Sequence, residues 1–196
     1  MNNRNFSFRN IEMRPLEASD AVQLNQLVKQ SSPLDQNSIY CNLLQCSHFS
    51  QTSVAAIKDG ELVGFVTGYI PPNKPKTLFV WQVAVAESWR GLGLAKKMLK
   101  WLVNQPCMQE INRLATTITP GNQASWTLFE SLAFEWQSGA ERKLLFNSHQ
   151  HFNGHHEDEY EMSISPLPNR DLKNMQDHLN ALRANFKKPL VKRWLV

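Results

Sequence analysis

What is scarce in these 196 residues narrows the field before any motif is read. Cysteine occurs only three times, as Cys41, Cys46 and Cys107, an odd number without metal-ligand spacing. That leaves neither a disulfide framework nor a cysteine-based metal site, and reduced thiols in a cytoplasmic protein are the simple reading. No stretch approaches the ~18 unbroken apolar residues of a membrane span. The opening MNNRNFSFRN has no apolar core of the kind a secretory signal needs, so residues 1–10 are expected to be a disordered N-terminus. Internal repeats are lacking too. The chain is long enough for one domain with a real core and too short for two.

A net excess of charge of either sign is missing from most of the chain. The formal net charge is +4, but from Leu167 onward seven Lys/Arg face two acids, Asp171 and Asp177. Taking that +5 from the total leaves residues 1–166 at −1. The basicity therefore belongs to the tail and says little about what the domain binds, so neither nucleic acid nor membrane is expected as a partner.

What is present is organised around Thr77–Leu102. Leu78 to Ala86 is a near-continuous apolar run broken only by Gln82, which predicts a strand buried on both faces. Arg90-Gly91-Leu92-Gly93-Leu94-Ala95 follows, and Leu92, Met98, Leu99 and Leu102 then recur at helical spacing. Strand, glycine turn and helix leave free N–H groups where an anion can approach, so a phosphate is the expected ligand. The spacing is neither the three-glycine dinucleotide motif nor a P-loop.

Upstream, Ile11–Arg14 reads as a short strand and Val22–Val28 as a helix. A second helix is expected over Asn37–Cys46, with Ile39, Leu43, Leu44 and Cys46 inward. Thr52–Lys58 and Glu61–Ile70 form a hairpin across Asp59-Gly60. Downstream, Arg113–Thr119 is a strand and Gln123–Ala133 a helix. Phe134-Glu135-Trp136 is expected to open another strand and Tyr160–Ile164 to be the last one; between them Gly139–His156 carries no single pattern, with Phe146-Asn147-Ser148 and Phe152-Asn153-Gly154 read as loop. This order implies an α/β fold with a mixed, mostly antiparallel sheet flanked by helices.

Two patterns then carry a resemblance. Arg90-x-x-Gly93-x-Ala95 resembles the Arg/Gln-x-x-Gly-x-Gly/Ala signature of the GCN5-related N-acetyltransferases. Asn122-x-x-Ser125-x-x-Leu128-Phe129-x-x-x-Ala133-Phe134 resembles their second hallmark, which usually has Tyr where Phe129 stands and Gly where Ala133 stands. The resemblance implies the acyl-CoA N-acyltransferase fold over residues 11–166 and acetyl-CoA as co-substrate. Its pyrophosphate would lie on Arg90, Gly91, Gly93, Leu94 and Ala95, and its pantetheine arm along Val83 and Val85, with Asn122 nearby. No metal is implied. Phe129 has no hydroxyl, so it cannot protonate the departing thiolate.

Pro33-Leu34-Asp35, Asn37-Ser38-x-Tyr40-Cys41, Cys46-x-His48-Phe49, Leu78–Val85 and Gly154-His155-His156-Glu157 narrow the resemblance to the L-2,4-diaminobutyrate acetyltransferases of ectoine synthesis. The implied acceptor is L-2,4-diaminobutyrate and the implied assembly a homodimer. Asp35 suits a substrate ammonium, or merely caps a helix. Tyr40 offers a hydroxyl and a ring face. Trp81 either floors the acceptor channel or is plain core. His156 and Glu159 map onto a family His and a Glu three residues later, although only a turn between them would bring both inward; solvated charge at a strand entry is the plain alternative.

An ammonium with a pKa near ~10 must lose a proton before it attacks a thioester. Glu159 is the first choice of base and Glu157 the second, with the N–H of Val83 on the thioester oxygen. Tyr40, water or the product ammonium is left to protonate the thiolate. The rivals are an acetyltransferase for another small amine and a silent acetyl-CoA-binding module.

The segment 167–196 is expected to be a basic amphipathic extension, because Leu172, Met175, Leu179, Leu182 and Phe186 make one apolar helical stripe. A lone ~15-residue helix is marginal in water, so the stripe must dock on the domain or on a second subunit. Truncation after Pro166 should leave turnover largely intact while lowering Tm or loosening a dimer, read by calorimetry and light scattering. An unchanged Tm and mass would remove the docking role.

Overall fold

The computed structural model describes residues 10–168, so the expectations for the N-terminus and for the apolar stripe of the tail lie outside the described residues. Seven strands form one sheet in the order β1-β2-β3-β4-β5-β7-β6. They are β1 (Glu12–Arg14), β2 (Val54–Lys58), β3 (Glu61–Tyr69), β4 (Thr77–Val85), β5 (Arg113–Ile118), β6 (Gly139–Phe146) and β7 (Glu159–Ser165). Only β4 and β5 run parallel, because a helix crosses between them. The α-helices are α1 (Ala21–Lys29), α2 (Ile39–Ser47), α3 (Leu94–Val103), α4 (Gln123–Trp136) and the short α5 (Ser148–Phe152). None of the described helices is long and apolar enough to cross a membrane.

Period-two alternation divides the apolar residues between two cores. On one face α1 and α2 bury Leu16, Leu24, Leu27 and Val28 against Ala55, Phe65 and Ala84. On the other, α3 and α4 bury Met98, Leu99, Leu102, Phe129 and Leu132 against Val66, Leu78, Val80 and Ile164. Leu167 joins the second core and donates its N–H to Asn112, so packing continues one residue past the expected boundary.

The β2–β3 turn has Asp59 at φ 52° and Gly60 at φ 84°, the two left-handed residues that an Asp-Gly hairpin supplies. One expectation fails here. Phe134-Glu135-Trp136 stays helical, since Trp136 packs on the core seven residues after Phe129 and the helix ends only at Gln137, φ 54°. The stretch after it is the long strand β6 followed by α5. A second correction concerns α2, which buries Asn42 and Gln45 and leaves Ile39 and Leu43 exposed. The buried amides are held by hydrogen bonds: Asn25 Nδ2 donates to Asn42 Oδ1 at 2.7 Å, and Asn42 Nδ2 donates to Gln45 Oε1 at 2.9 Å.

One irregularity positions everything that follows. Across β3 and β4, Thr67 pairs with Gln82 and Gly68 with Val80, so Trp81 is the extra residue of a bulge. The bulge reverses the alternation of β4. Leu78 and Val80 face the α3/α4 core before it, and Val83 and Val85 face that core after it. The strand is consequently not buried on both faces as its composition suggests, for Trp81 is 42% exposed.

Gly68 lies beside the bulge, and a Cβ there would come within 2.8 Å of Phe79 O and 3.0 Å of Thr52 O, both backbone. Gly68→Ala should therefore cost about 1–3 kcal/mol, the usual penalty of overpacking. A urea titration measures it, and an unmoved midpoint would mean that the bulge relaxes freely.

Candidate functional site

Beyond the Val80–Thr116 pair, β4 and β5 part. Ala86 donates its N–H to Val63 O on the β3 side. Strand alternation then turns the N–H and C=O groups of Val83 and Val85 the other way, into the gap β5 has left. Polar backbone that no strand meets needs another partner. Arg90 Nε takes the Val85 carbonyl at 2.9 Å, which leaves Val83 facing the gap.

At the end of β4 the chain reaches the glycine turn. Gly91 has φ 72° and Gly93, which precedes α3, has φ 84°. These left-handed conformations favour glycine, and a Cβ at either position would meet nothing within 4 Å, so both border open space. No side chain caps the start of α3, so the N–H groups of its first turn, Leu94 and Ala95 included, are left for an anion. Arg90 behaves differently from its neighbours in the motif. Besides Val85 O, its guanidinium donates to Gln30 O at 3.3 Å and Ser31 Oγ at 3.2 Å, bracing the end of α1. Asn122 also has a local task, its Oδ1 accepting from Ser125 N at 3.1 Å as the cap of α4. Phe129 is core.

The second half of the site lies on the α1/α2 face of the sheet. Tyr160, Met162 and Ile164 face the opposite core, so Glu159 and Glu161 point to this side. β7 begins at Glu159, and the residues before it form a turn, which is the geometry that lets His156 and Glu159 meet. His156 Nε2 lies 3.5 Å from Asp35 Oδ2 and 3.8 Å from Glu159 Oε1. Asp35 arrives from the α1–α2 loop, so two segments far apart in the chain converge. The turn itself is tied down: Ser148 Oγ donates to His156 O at 2.5 Å, Asp158 Oδ1 accepts from Ser148 N at 2.6 Å, and the Phe152 ring packs 4.7 Å from His156.

The electrostatics follow from these distances. His156 Nδ1 lies 2.8 Å from Glu157 O, and a carbonyl only accepts, so Nδ1 carries a proton. Nε2 then faces two carboxylates and is favoured as a second N–H. The Glu157 carbonyl, then Asp35 and Glu159, hold the imidazole above its ordinary pKa against the effect of burial. Burial pushes the Glu159 carboxyl up, with His156 and the Thr117 hydroxyl opposing it. Glu159 Oε2 is buried without a hydrogen-bond partner among the described residues. Two carboxylates, one more basic than usual, beside one imidazolium form a net-anionic cradle that suits a cationic amine. The same three donors lie within 4.8 Å of one another, close enough for a metal ion, but a protonated Nε2 works against ligation.

Other expected residues sit further out. Tyr40 is 67% exposed on α2 and has no hydrogen bond to the cluster. Trp81 packs edge-on to Tyr69, ring centroids 6.0 Å apart, in an aromatic row with Phe49 and Phe79. Glu157 lies over Gly121, whose Cβ would be 3.7 Å from Glu157 Oε2. Gln82 was legible only as a break in an apolar run. It is buried, accepts from Asn37 Nδ2 at 3.0 Å and donates to Asp35 O at 2.8 Å.

Comparison with known proteins points one way. Residues 12–134 match the model of the acetyltransferase (GNAT) family. The chain is 51% identical over 150 residues to the L-2,4-diaminobutyric acid acetyltransferase of Methylotuvimicrobium alcaliphilum, covering 76% of this chain and 87% of that one. Against the enzyme of that name from Halomonas elongata it is 43% identical over 156 residues, covering 79% and 81%. Diaminobutyrate acetyltransferase EctA from Paenibacillus lautus, solved in complex with L-2,4-diaminobutyric acid and coenzyme A, is 37% identical with a TM-score of 0.76, over 80% of this chain and 95% of that one.

Since its partners raise the His156 pKa, its contribution to stability is present below the unfolded histidine pKa and is lost as pH rises through the elevated folded value. NMR of the imidazole should show a midpoint above ~6.5. Asp35→Asn should bring it down, and an unmoved midpoint would break the Asp35–His156 contact.

Proposed function

The chain belongs to the acetyltransferase (GNAT) family, and on that premise we propose how it works as a diaminobutyrate acetyltransferase. It transfers the acetyl group of acetyl-CoA to the 4-amino group of L-2,4-diaminobutyrate, giving N4-acetyl-L-2,4-diaminobutyrate. The observation that carries the site assignment is the convergence of Asp35, His156 and Glu159 beside the β4–β5 gap. A dication with one carboxylate suits two carboxylates and an imidazolium.

In this reading the pyrophosphate rests on the N–H groups of Gly91 to Ala95, and the pantetheine arm runs in the gap along Val83 and Val85. Arg90 shapes the turn from behind and Asn122 fixes the start of α4. The Val83 N–H polarises the thioester oxygen and holds the oxyanion of the tetrahedral intermediate, an interaction usually worth about 3–4 kcal/mol. Asp35 and His156 orient the acceptor, with Trp81 and Tyr40 shaping its path. Glu159, made more basic by burial, takes one proton from the ammonium, directly or through water. The freed amine attacks, the C–S bond breaks, and the proton shed by the amide nitrogen goes to the thiolate. That route supplies the proton for which Phe129 has no hydroxyl.

The product is one step from a cyclic amidine, so the enzyme's place is in ectoine formation, an osmotic-stress response of the cytoplasm. A second copy of the chain is the proposed partner, supported by β6, an edge strand with seven of eight residues exposed. Light scattering of the full chain tests it.

Incubation with acetyl-CoA and L-2,4-diaminobutyrate, followed by NMR, should place the acetyl group on N4. Gly93→Glu should raise the acetyl-CoA KM at least ~10-fold, since a carboxylate then occupies the phosphate's position. Glu159→Gln should instead lower kcat by ~10²-fold or more with acetyl-CoA affinity intact. Acetylation of lysine or ornithine in preference would reassign the acceptor.

A further inference from the structure

Asp35 sits in a loop between α1 and α2 that has no regular structure and whose side chain is 76% exposed. Such a residue has little packing of its own to fix it, yet its carboxylate reaches His156 across the site. Something must locate the loop. The grip comes from the buried amide of Gln82, on β4 directly after the bulge. Gln82 Nε2 donates to the Asp35 carbonyl at 2.8 Å, and Gln82 Oε1 accepts from Asn37 Nδ2 at 3.0 Å. Asn37 O in turn accepts from Asn25 Nδ2 at 3.0 Å, and Asn25 reaches Asn42. The loop is thus clasped on both sides of Gln36.

We propose that Gln82 is a positioning residue for the acceptor, setting Asp35 at the distance from His156 and Glu159 that the substrate needs. The proposal rests on the reading that Asp35 meets the substrate ammonium. Its physical basis is that one amide side chain donates to one backbone carbonyl and accepts from one side-chain amide at the same time, which neither a carboxylate nor an apolar residue can do. Gln82 also precedes Val83, so the clasp and the thioester-facing N–H share one rigid strand. Acceptor and acetyl donor are therefore registered against each other through adjacent residues of β4. The bulge at Trp81 is what turns Gln82 toward the loop and Val83 toward the α3/α4 core.

The test compares the full-length wild type with Gln82→Met, Asn37→Ala, Asp35→Ala and the Asp35→Ala/Gln82→Met pair. Gln82→Met should raise the diaminobutyrate KM about tenfold, as expected for two lost hydrogen bonds, with the acetyl-CoA KM unchanged. Asn37→Ala, at a half-buried loop position, should produce a smaller rise of the same kind. In the Asp35→Ala background Gln82→Met should add nothing further, because coupled residues are not additive. Multiplying effects, or equal losses for both substrates, would overturn the proposal. The His156 imidazole titration gives a readout independent of turnover: in Gln82→Met its midpoint should fall as it does in Asp35→Asn, and an unmoved midpoint would also overturn it. If the wild type fails to acetylate diaminobutyrate, the functional reading fails, and the titration still decides whether Gln82 places Asp35.

Discussion

The parting of β4 from β5 after Val80–Thr116 is the constraint on which the rest of the molecule depends. A sheet that stayed paired would satisfy its own backbone and leave no edge inside the fold for a ligand. Here the strands are parallel at one end, held by the α3 crossover, and diverge at the other. The gap exposes the Val83 backbone on the middle strand of the sheet, where a ligand can complete its hydrogen bonds. The bulge at Trp81 reinforces it. An added residue twists β4 and lets Trp81 and Gln82 serve the same face, one in the aromatic row and one in the loop clasp.

Around that gap the two halves of the site use opposite electrostatics. The glycine turn offers N–H groups and no side chains, which suits an anion. The Asp35–His156–Glu159 cluster offers carboxylates, which suit a cation. Each is built where its chemistry costs least. The turn needs backbone freedom and open space, and Gly91 and Gly93 have both. The cluster gathers like charges, which repel less with the imidazole between them, and the Glu157 carbonyl and the carboxylates themselves raise the pKa of His156. Burial of Glu159 raises its basicity, which is the shift its proposed role as base would use.

The α2 helix illustrates the same exchange of stability for placement. An amphipathic helix of this length ordinarily buries its aliphatic residues, yet Ile39 and Leu43 remain outside while Asn42 and Gln45 go in. Buried amides contribute less than buried aliphatics, and Gln45 Nε2 is left unpartnered among the described residues. In return, the amides specify one orientation of the helix and of the loop before it.

Much of the architecture was legible in residue order alone. The apolar run of β4, the Asp-Gly hairpin and the spacing of Arg90, Gly93 and Ala95 are local signals, because strand period, turn conformation and helix start depend on neighbours within a few residues. The candidate residues Asp35, His156 and Glu159 were likewise readable through resemblance to a family. What no local pattern contained was their meeting, since Asp35 comes from a loop more than a hundred residues before His156. The bulge that exposes Trp81, the role of Gln82, the brace made by Arg90 and the inward turn of Asn42 were equally hidden. Each is set by a hydrogen bond or a strand register between distant segments. Sequence determined which elements form and which chemistries are at hand. Tertiary structure alone decided which groups face one another, because the packing of α1 and α2 against the bulged strand brings those segments within bonding distance.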